Sequence, residues 1–436
     1  MPRRIFRRTR HAWFSPTRWR RRILFWIGAL TVGIVAVLFA LGSEYAHNGF
    51  LHLVAISPWL PLVVTPAGFV AIVYTTQRFF PGSQGSGIPQ TIAALEIREH
   101  TLRNRVLSIR IAVSKIFLTM FGLLCGASVG REGPTVQVGA SILHAIGTWG
   151  RFSRLDTERA LIIAGGAAGV AAAFNTPLAG IVFAIEEMSR SLEHRISGTM
   201  LTAVIVAGVA SLGLLGNYTY FGHTSASFSL STGWMVPLVC GLVGGLLGGV
   251  FSRILILLSR GWLGRLGHAM RKYPLRTAAI CGLLLAVVGI ASGNTTYGTG
   301  YHEAKAILEG QGDTHATYGL LKMIATLLSY ASGVPGGIFA PSLAVGAGFG
   351  ANLAPWFPLV APSIVIVLAM VAYFAGVVQA PITAFVIVME MTDKHDMVMP
   401  LMVAAIVAHA VSKLVYPTPL YRSLAIGFLP RHTNRN

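Results

Sequence analysis

The sequence predicts an all-α polytopic membrane protein, and three observations carry that expectation. Of 436 residues, 54% are hydrophobic and only 11% are charged, with a mean hydropathy of +0.65. Soluble domains carry about 25% charged residues, so a soluble fold of this composition would lack polar cover. Residues 23–41, 231–252 and 361–389 contain no charged side chain. Each run is near or beyond the roughly 20 residues that cross a bilayer as a helix. Finally, glycine and proline interrupt apolar sequence at matching places in the two halves of the chain. A β-barrel would read instead as many short alternating segments.

The chain begins with a basic stretch. Net charge is +19, and nine arginines fall within the first 22 residues. Arginines placed just before an apolar run hold that end in the cytoplasm and meet anionic lipid head groups. This reading is preferred to nucleic-acid binding, which such a stretch also resembles. The apolar run that follows is too long for a cleaved signal peptide and lacks a clear small-residue cleavage site. The expected organisation is a basic cytoplasmic segment over 1–20, a membrane domain over about 21–425, and a short tail over 426–436. The membrane domain divides into halves of about 21–215 and 230–425. Both termini are expected in the cytoplasm, with no room after the last apolar stretch for a soluble regulatory domain.

The halves share ordered anchors. Lys115 lies 19 residues before Pro134, and Lys322 lies 19 before Pro341. Gly139-Ala140 follows Pro134 at five residues, as Gly346-Ala347 follows Pro341. Pro177 precedes Glu186 by nine residues, and Pro381 precedes Glu390 by nine. The offsets are 207 and 204, which argues for a duplicated unit. Repeats of this kind form the two halves of many transporters, whose broken helices meet near the bilayer midplane. The 49 glycines fit close helix packing and such breaks. Cys125, Cys240 and Cys281 sit in apolar sequence with no metal or disulfide spacing, as small buried hydrophobes do.

Three segments are candidates for chemistry. In Gly85-Ser86-Gly87-Ile88-Pro89, a turn enters a helix, and its amides with the Ser86 hydroxyl could face an anion. The same residues read equally as a capped helix start. In Gly130-Arg131-Glu132-Gly133-Pro134, the glycines permit close backbone approach. Glu132 at a helix N-terminus gains from the partial positive charge there, and the same amides attract a diffusing anion. A carboxylate that swings in and out of such a site is a gate, with Arg131 orienting the segment or raising the local potential. The bland alternative is a structural Arg–Glu pair at a membrane edge. In Gly336-Gly337-Ile338-Phe339-Ala340-Pro341, the Ile338 and Phe339 amides come without a competing charge, and the Phe339 ring could wall a pathway.

Glu186 and Glu187 end an apolar run. Ionisable groups there are functional candidates, and adjacent residues face different directions on a helix. One could face the interior and accept protons while the other sits at a helix end. Membrane-edge charge explains both as well. Glu390 and Asp393 hold the corresponding end in the second half and read as structural or interfacial. Tyr421 reads more readily as an interfacial anchor than as an anion donor. Lys115 and Lys322 either shape the pathway potential or mark helix ends. His144, His194 and His409 have no obvious second ligand, and no metal site is expected. The sequence carries no phosphate-binding loop, zinc-protease helix or dinucleotide fingerprint. Neither a nucleophile–base set nor a metal cluster supports an enzyme.

Taken in order, Gly85–Pro89, Gly130–Pro134, Gly336–Pro341 and Pro419-Leu420-Tyr421 resemble the signature segments of the CLC family of chloride channels and proton–chloride antiporters. The resemblance spans nearly the whole membrane domain. It implies two inverted-topology halves with broken helices meeting at a central anion site, and a homodimer with one anion pathway per subunit. It implies that Ser86 and Tyr421 are side-chain donors to the anion and that the Ile338 and Phe339 amides complete the site. Glu132 corresponds to the gating glutamate. Glu187, 55 residues further on, corresponds to the inner proton-transfer glutamate. Gln90 and Ile92 depart from acidic positions in a bacterial member, which bears on the internal water path. Ser86 resembles chloride-preferring members, and the motifs do not resemble the fluoride-exporting branch. The resemblance further implies a prokaryotic inner-membrane protein that moves chloride and protons without a cofactor. Exchange is the leading expectation and a passive gated channel the alternative.

Overall fold

The computed structural model describes residues 16–150, 155–189, 198–216, 221, 233–261, 264–311, 315–393 and 395–430. His194, most of the N-terminal arginines and the tail from residue 431 lie outside them. The regular secondary structure of the described residues is helical, apart from a single β-bridge between Gly130 and Gly337. The first half contains α1 (Pro16–Ile56), α2 (Pro61–Phe79), α3 (Ile88–Glu96), α4 (His100–Asn104), α5 (Ile109–Leu124) and α6 (Glu132–Trp149). It continues with α7 (Leu155–Phe174), α8 (Pro177–Phe183), a π turn (Ala184–Ser189) and α9 (Gly198–Leu215). The second half contains α10 (Met235–Arg260), α11 (Gly264–Lys272), α12 (Pro274–Ala291), α13 (Tyr301–Glu309), α14 (Tyr318–Ala331) and α15 (Phe339–Leu353). It ends with α16 (Pro362–Val378), α17 (Pro381–Thr392), α18 (Val398–Val415) and α19 (Leu420–Ala425).

Six helical stretches among the described residues are long and apolar enough to cross a membrane. The uncharged run 361–389, read from composition as one continuous stretch, is two helices. Gln379 adopts a left-handed φ of 58° and ends α16, and Pro381 opens α17. Asn175 does the same at φ 58° between α7 and Pro177 of α8. Hydropathy is indifferent to such a reversal, whereas a proline at the first helical turn is its local signature.

Equivalent elements make equivalent contacts. Helix α6 packs on α7 as α15 packs on α16, and α1 packs on α9 as α10 packs on α18. Glycine lets α10 approach two neighbours at once. Gly241, Gly245 and Gly249 face α18, where added methyls would collide with Val407, Ala408 and Ser412. Gly244 and Gly248 face α16 at Tyr373 and Gly376. Small residues spaced by four allow this backbone contact, which is how helices associate without a hydrophobic driving force. The three cysteines are buried, as their apolar flanks suggest.

Two half-buried glutamates tie the halves together. The Glu186 carboxylate accepts from the amides of Ile382 (3.1 Å) and Thr383 (2.6 Å) at the start of α17. The Glu390 carboxylate accepts from Leu178 (3.2 Å) and Ala179 (2.7 Å) at the start of α8. Each half thus caps a helix of the other, with anionic oxygens on the positive ends of the dipoles. Removing either acceptor, as in E186A or E390A, is expected to cost about 1–2 kcal/mol. Thermal unfolding of the detergent-solubilised protein checks this, and an unchanged midpoint in both variants would make the caps incidental.

Lys115 and Lys322 are fully buried, and they lie within α5 and α14, not at helix ends. The Lys115 ammonium donates to the carbonyls of Ser83 (2.8 Å) and Gly85 (2.6 Å). The Lys322 ammonium donates to Thr296 (2.9 Å), Tyr297 (3.2 Å) and Gly298 (2.9 Å). Each lysine therefore clamps the loop that enters a short helix, α3 or α13.

Candidate functional site

The three glycine-rich segments meet in the interior, each at a helix start. Glu132 is the first residue of α6, Phe339 is the first of α15 after Ile338, and Ile88 is the first of α3 after Gly87. The segments are stitched by backbone. Gly130 and Gly337 exchange two hydrogen bonds of 2.7 Å, and the Gly336 amide donates to the Gly85 carbonyl at 3.1 Å. The first amides of a helix have no intrahelical acceptor, and two such ends, α6 and α15, abut here. Pro134 and Pro341 stand third in their helices, so both ends present the same pattern of amides.

The loop carrying Ser86 is held rigidly. Beyond Lys115, the Gln90 side-chain oxygen accepts from the Gly87 amide (3.1 Å), and its amide group donates to the carbonyls of Gly82 (3.2 Å) and Gln84. Gln137 donates to Gly82 (3.1 Å) and Val106 (2.8 Å). Gln90 therefore secures the backbone turn around Ser86, and Ile92 is buried in the apolar core. Gly87 has φ 105°, a conformation L side chains rarely adopt.

Ser86, Glu132, Glu187, Ile338, Phe339 and Tyr421 are each at most 2% exposed. Any ion reaching this centre is stripped of water and must be held by protein groups. Tyr421 is wholly buried, which overturns its reading as an interfacial anchor. Its hydroxyl and Ser86 Oγ lie within reach of one another, yet neither has a partner of good hydrogen-bond geometry. Buried hydroxyls are ordinarily well partnered, so these two can turn toward a bound group. The carboxylates of Glu187 and Glu132 and the hydroxyl of Tyr330 all lie within electrostatic range of the Tyr421 hydroxyl. The Phe339 ring packs against Phe374 (4.8 Å between centroids), Tyr421 (5.9 Å), Phe174 (6.0 Å) and Phe183 (6.2 Å). The Glu132 carboxylate folds back over Gly130.

Glu187 sits in the π turn, buried, while its neighbour Glu186 is the cap on α17. A π turn shifts the side-chain register by one extra residue, and such turns occur frequently at functional sites. His144 bonds Asn104 (2.8 Å) and stacks near His100, so it stands apart from the centre. No group of His, Cys, Asp or Glu able to hold a metal occurs among the described residues. Sequence reasoning missed Tyr330, whose hydroxyl lies beside Gly85. Its counterpart at the repeat offset is Leu123, so the register offered no signal.

Gly133 packs directly on Ser86. A methyl there would overlap Ser86 Oγ and press on the Ser86 carbonyl. G133A is expected to displace Ser86, and if Ser86 faces an anion as the sequence suggests, to lower ion movement at least about tenfold, because small misplacements of a binding constellation are costly. Flux from liposomes checks this, and wild-type rates would show the contact to be slack.

An all-helical membrane fold with helix starts and poorly partnered hydroxyls around a buried centre is the architecture of an ion-moving protein. The family model described as voltage gated chloride channel matches residues 67–413, and the chain belongs to that family. Similar solved structures include a slow cyanobacterial Cl⁻/H⁺ antiporter, with 25% identity and a TM-score of 0.77, covering 94% of this chain and 99% of that one. A CLC-type fluoride/proton antiporter shares 24% identity with a TM-score of 0.78, covering 91% and 96%. A eukaryotic CLC transporter shares 20% identity with a TM-score of 0.75, covering 94% and 75%. The latter two likenesses speak to the fold alone.

Proposed function

We propose that this chain exchanges chloride for protons across the membrane. The observation that carries the reading is the pair of poorly partnered hydroxyls, Ser86 and Tyr421, with both Glu132 and Glu187 in electrostatic range. In this reading the two hydroxyls and the amides of Ile338 and Phe339 hold a desolvated chloride. Gly85, Gly87, Ile88, Pro89, Gly130, Arg131, Gly133, Pro134, Gly336, Gly337, Ala340 and Pro341 form the backbone that positions them.

The Glu132 carboxylate competes with chloride for the same helix ends, because both are anions drawn to the same amides. Protonation neutralises Glu132, weakens its hold and lets chloride replace it. Glu187 passes protons between the cytoplasm and Glu132 through water, since a buried carboxylate off the anion path binds a proton without blocking chloride. Ser86 favours chloride over nitrate by analogy with chloride-preferring relatives. The working unit is proposed to be a homodimer in a prokaryotic inner membrane, with the domain at about 21–425 in two inverted halves and both termini cytoplasmic. No cofactor takes part.

The test is simultaneous chloride and proton flux from liposomes under an imposed chloride gradient, with membrane voltage clamped by an ionophore. Uphill proton movement is expected. Chloride flux with no proton movement would replace exchange by passive conduction through the same site.

A further inference from the structure

The clamped loop around Ser86 has a counterpart that the proposed exchange cycle leaves unused. Gly298-Thr299-Gly300 leads into α13 as Gly85-Ser86-Gly87 leads into α3. Gly85 and Gly298 both have φ 64°, and Gly87 and Gly300 are also left-handed, at 105° and 77°. Lys322 holds the second loop as Lys115 holds the first. Thr299 therefore stands where Ser86 stands, two residues before a helix.

Thr299 lines a cavity of about 290 Å³. Ser43, His47, Arg131 and His302 line it too, with Glu44. Ser43 and His47 are 3% and 6% exposed, and Ser43 Oγ and His47 Nδ1 have no hydrogen-bond partner. Thr299 Oγ1 accepts from the Tyr301 amide at 3.3 Å, which leaves its O–H to donate elsewhere. Capping accounts for Thr299 alone but not for two orphaned polar groups beside it. Glu44 and His302 are solvent-exposed, where water and salt screen charge, while the buried wall offers the hydrogen-bonding groups of Ser43 and His47 beside apolar Ala40. Ser43 lies 23 residues beyond Arg20 on α1, about 35 Å along the helix, so the cavity lies far from the basic end. Arg131 immediately precedes Glu132.

We infer that this cavity is a second anion site, an outer docking site where a small, partly hydrated monovalent anion is held by Ser43, His47, Thr299 and Arg131 before it reaches Glu132. Its role as a waiting position in transport rests on the exchange reading, but anion binding there does not. The probe is bromide, located by anomalous scattering in crystals of the full chain, wild type and the S43A/T299A double variant. Bromide is expected both beside Ser86 and Tyr421 and in the outer cavity, and the outer peak alone is lost in the double variant. In liposomes that variant is expected to raise the half-saturating chloride on the outer face roughly three- to tenfold, with the inner-face value unchanged. Bromide at the centre but absent from the outer cavity of the wild type overturns the outer site and leaves the exchange reading standing. Bromide in the outer cavity alone supports the outer site and overturns the central one. An outer peak that persists in the double variant overturns the assignment of Ser43 and Thr299.

Discussion

E132Q is expected to abolish proton movement while chloride continues to flow. The glutamine keeps the size of the side chain but carries neither charge nor titratable proton. Without charge it does not compete with chloride for the ends of α6 and α15. Proton transfer by a positioned group contributes about 10²–10⁴-fold, so proton flux should fall at least about 100-fold. The pH dependence follows from the same competition. On the proposed mechanism, chloride movement in the wild type is expected to slow as pH rises, because a charged Glu132 competes for the amides. In E132Q the chloride rate should be flat with pH. A steep pH dependence surviving in E132Q would move the gate to another group.

E187Q is expected to lose coupled proton movement to a similar degree, about 100-fold, with a different signature. Glu187 is buried in the π turn, within range of Tyr421. On the proposed route, replacing it removes the inner proton-binding group and leaves Glu132 in place. Chloride flux should therefore persist and still slow as outer pH rises. That retained dependence separates E187Q from E132Q. Intact coupling in E187Q would assign Glu187 to structure and the inner route to other groups.

Much of this site was legible because the chemistry required backbone breaks, and breaks leave glycine and proline in apolar sequence. The starts of α3, α6 and α15 all coincide with such motifs. The purpose of Lys115 and Lys322 was not legible, although their register was. Their acceptors are carbonyls 24 to 32 residues away on loops, which no spacing rule reveals. The exchange of caps between Glu186 and Glu390 was hidden likewise, because each acts on a helix of the other half. Tyr421 misled because a tyrosine after the last apolar helix ordinarily sits at the lipid interface. Here α19 turns back to pack on α3 and carries the ring inward. Run 361–389 looked continuous because hydropathy does not register the left-handed turn at Gln379.

On the proposed mechanism Glu132 and chloride compete for one site. The decisive measurement is calorimetric titration of chloride into wild type and E132Q at several pH values. Wild-type affinity is expected to weaken as pH rises, whereas E132Q binds more tightly and with no pH dependence. Equal affinities that weaken in parallel with pH in both proteins would contradict that competition.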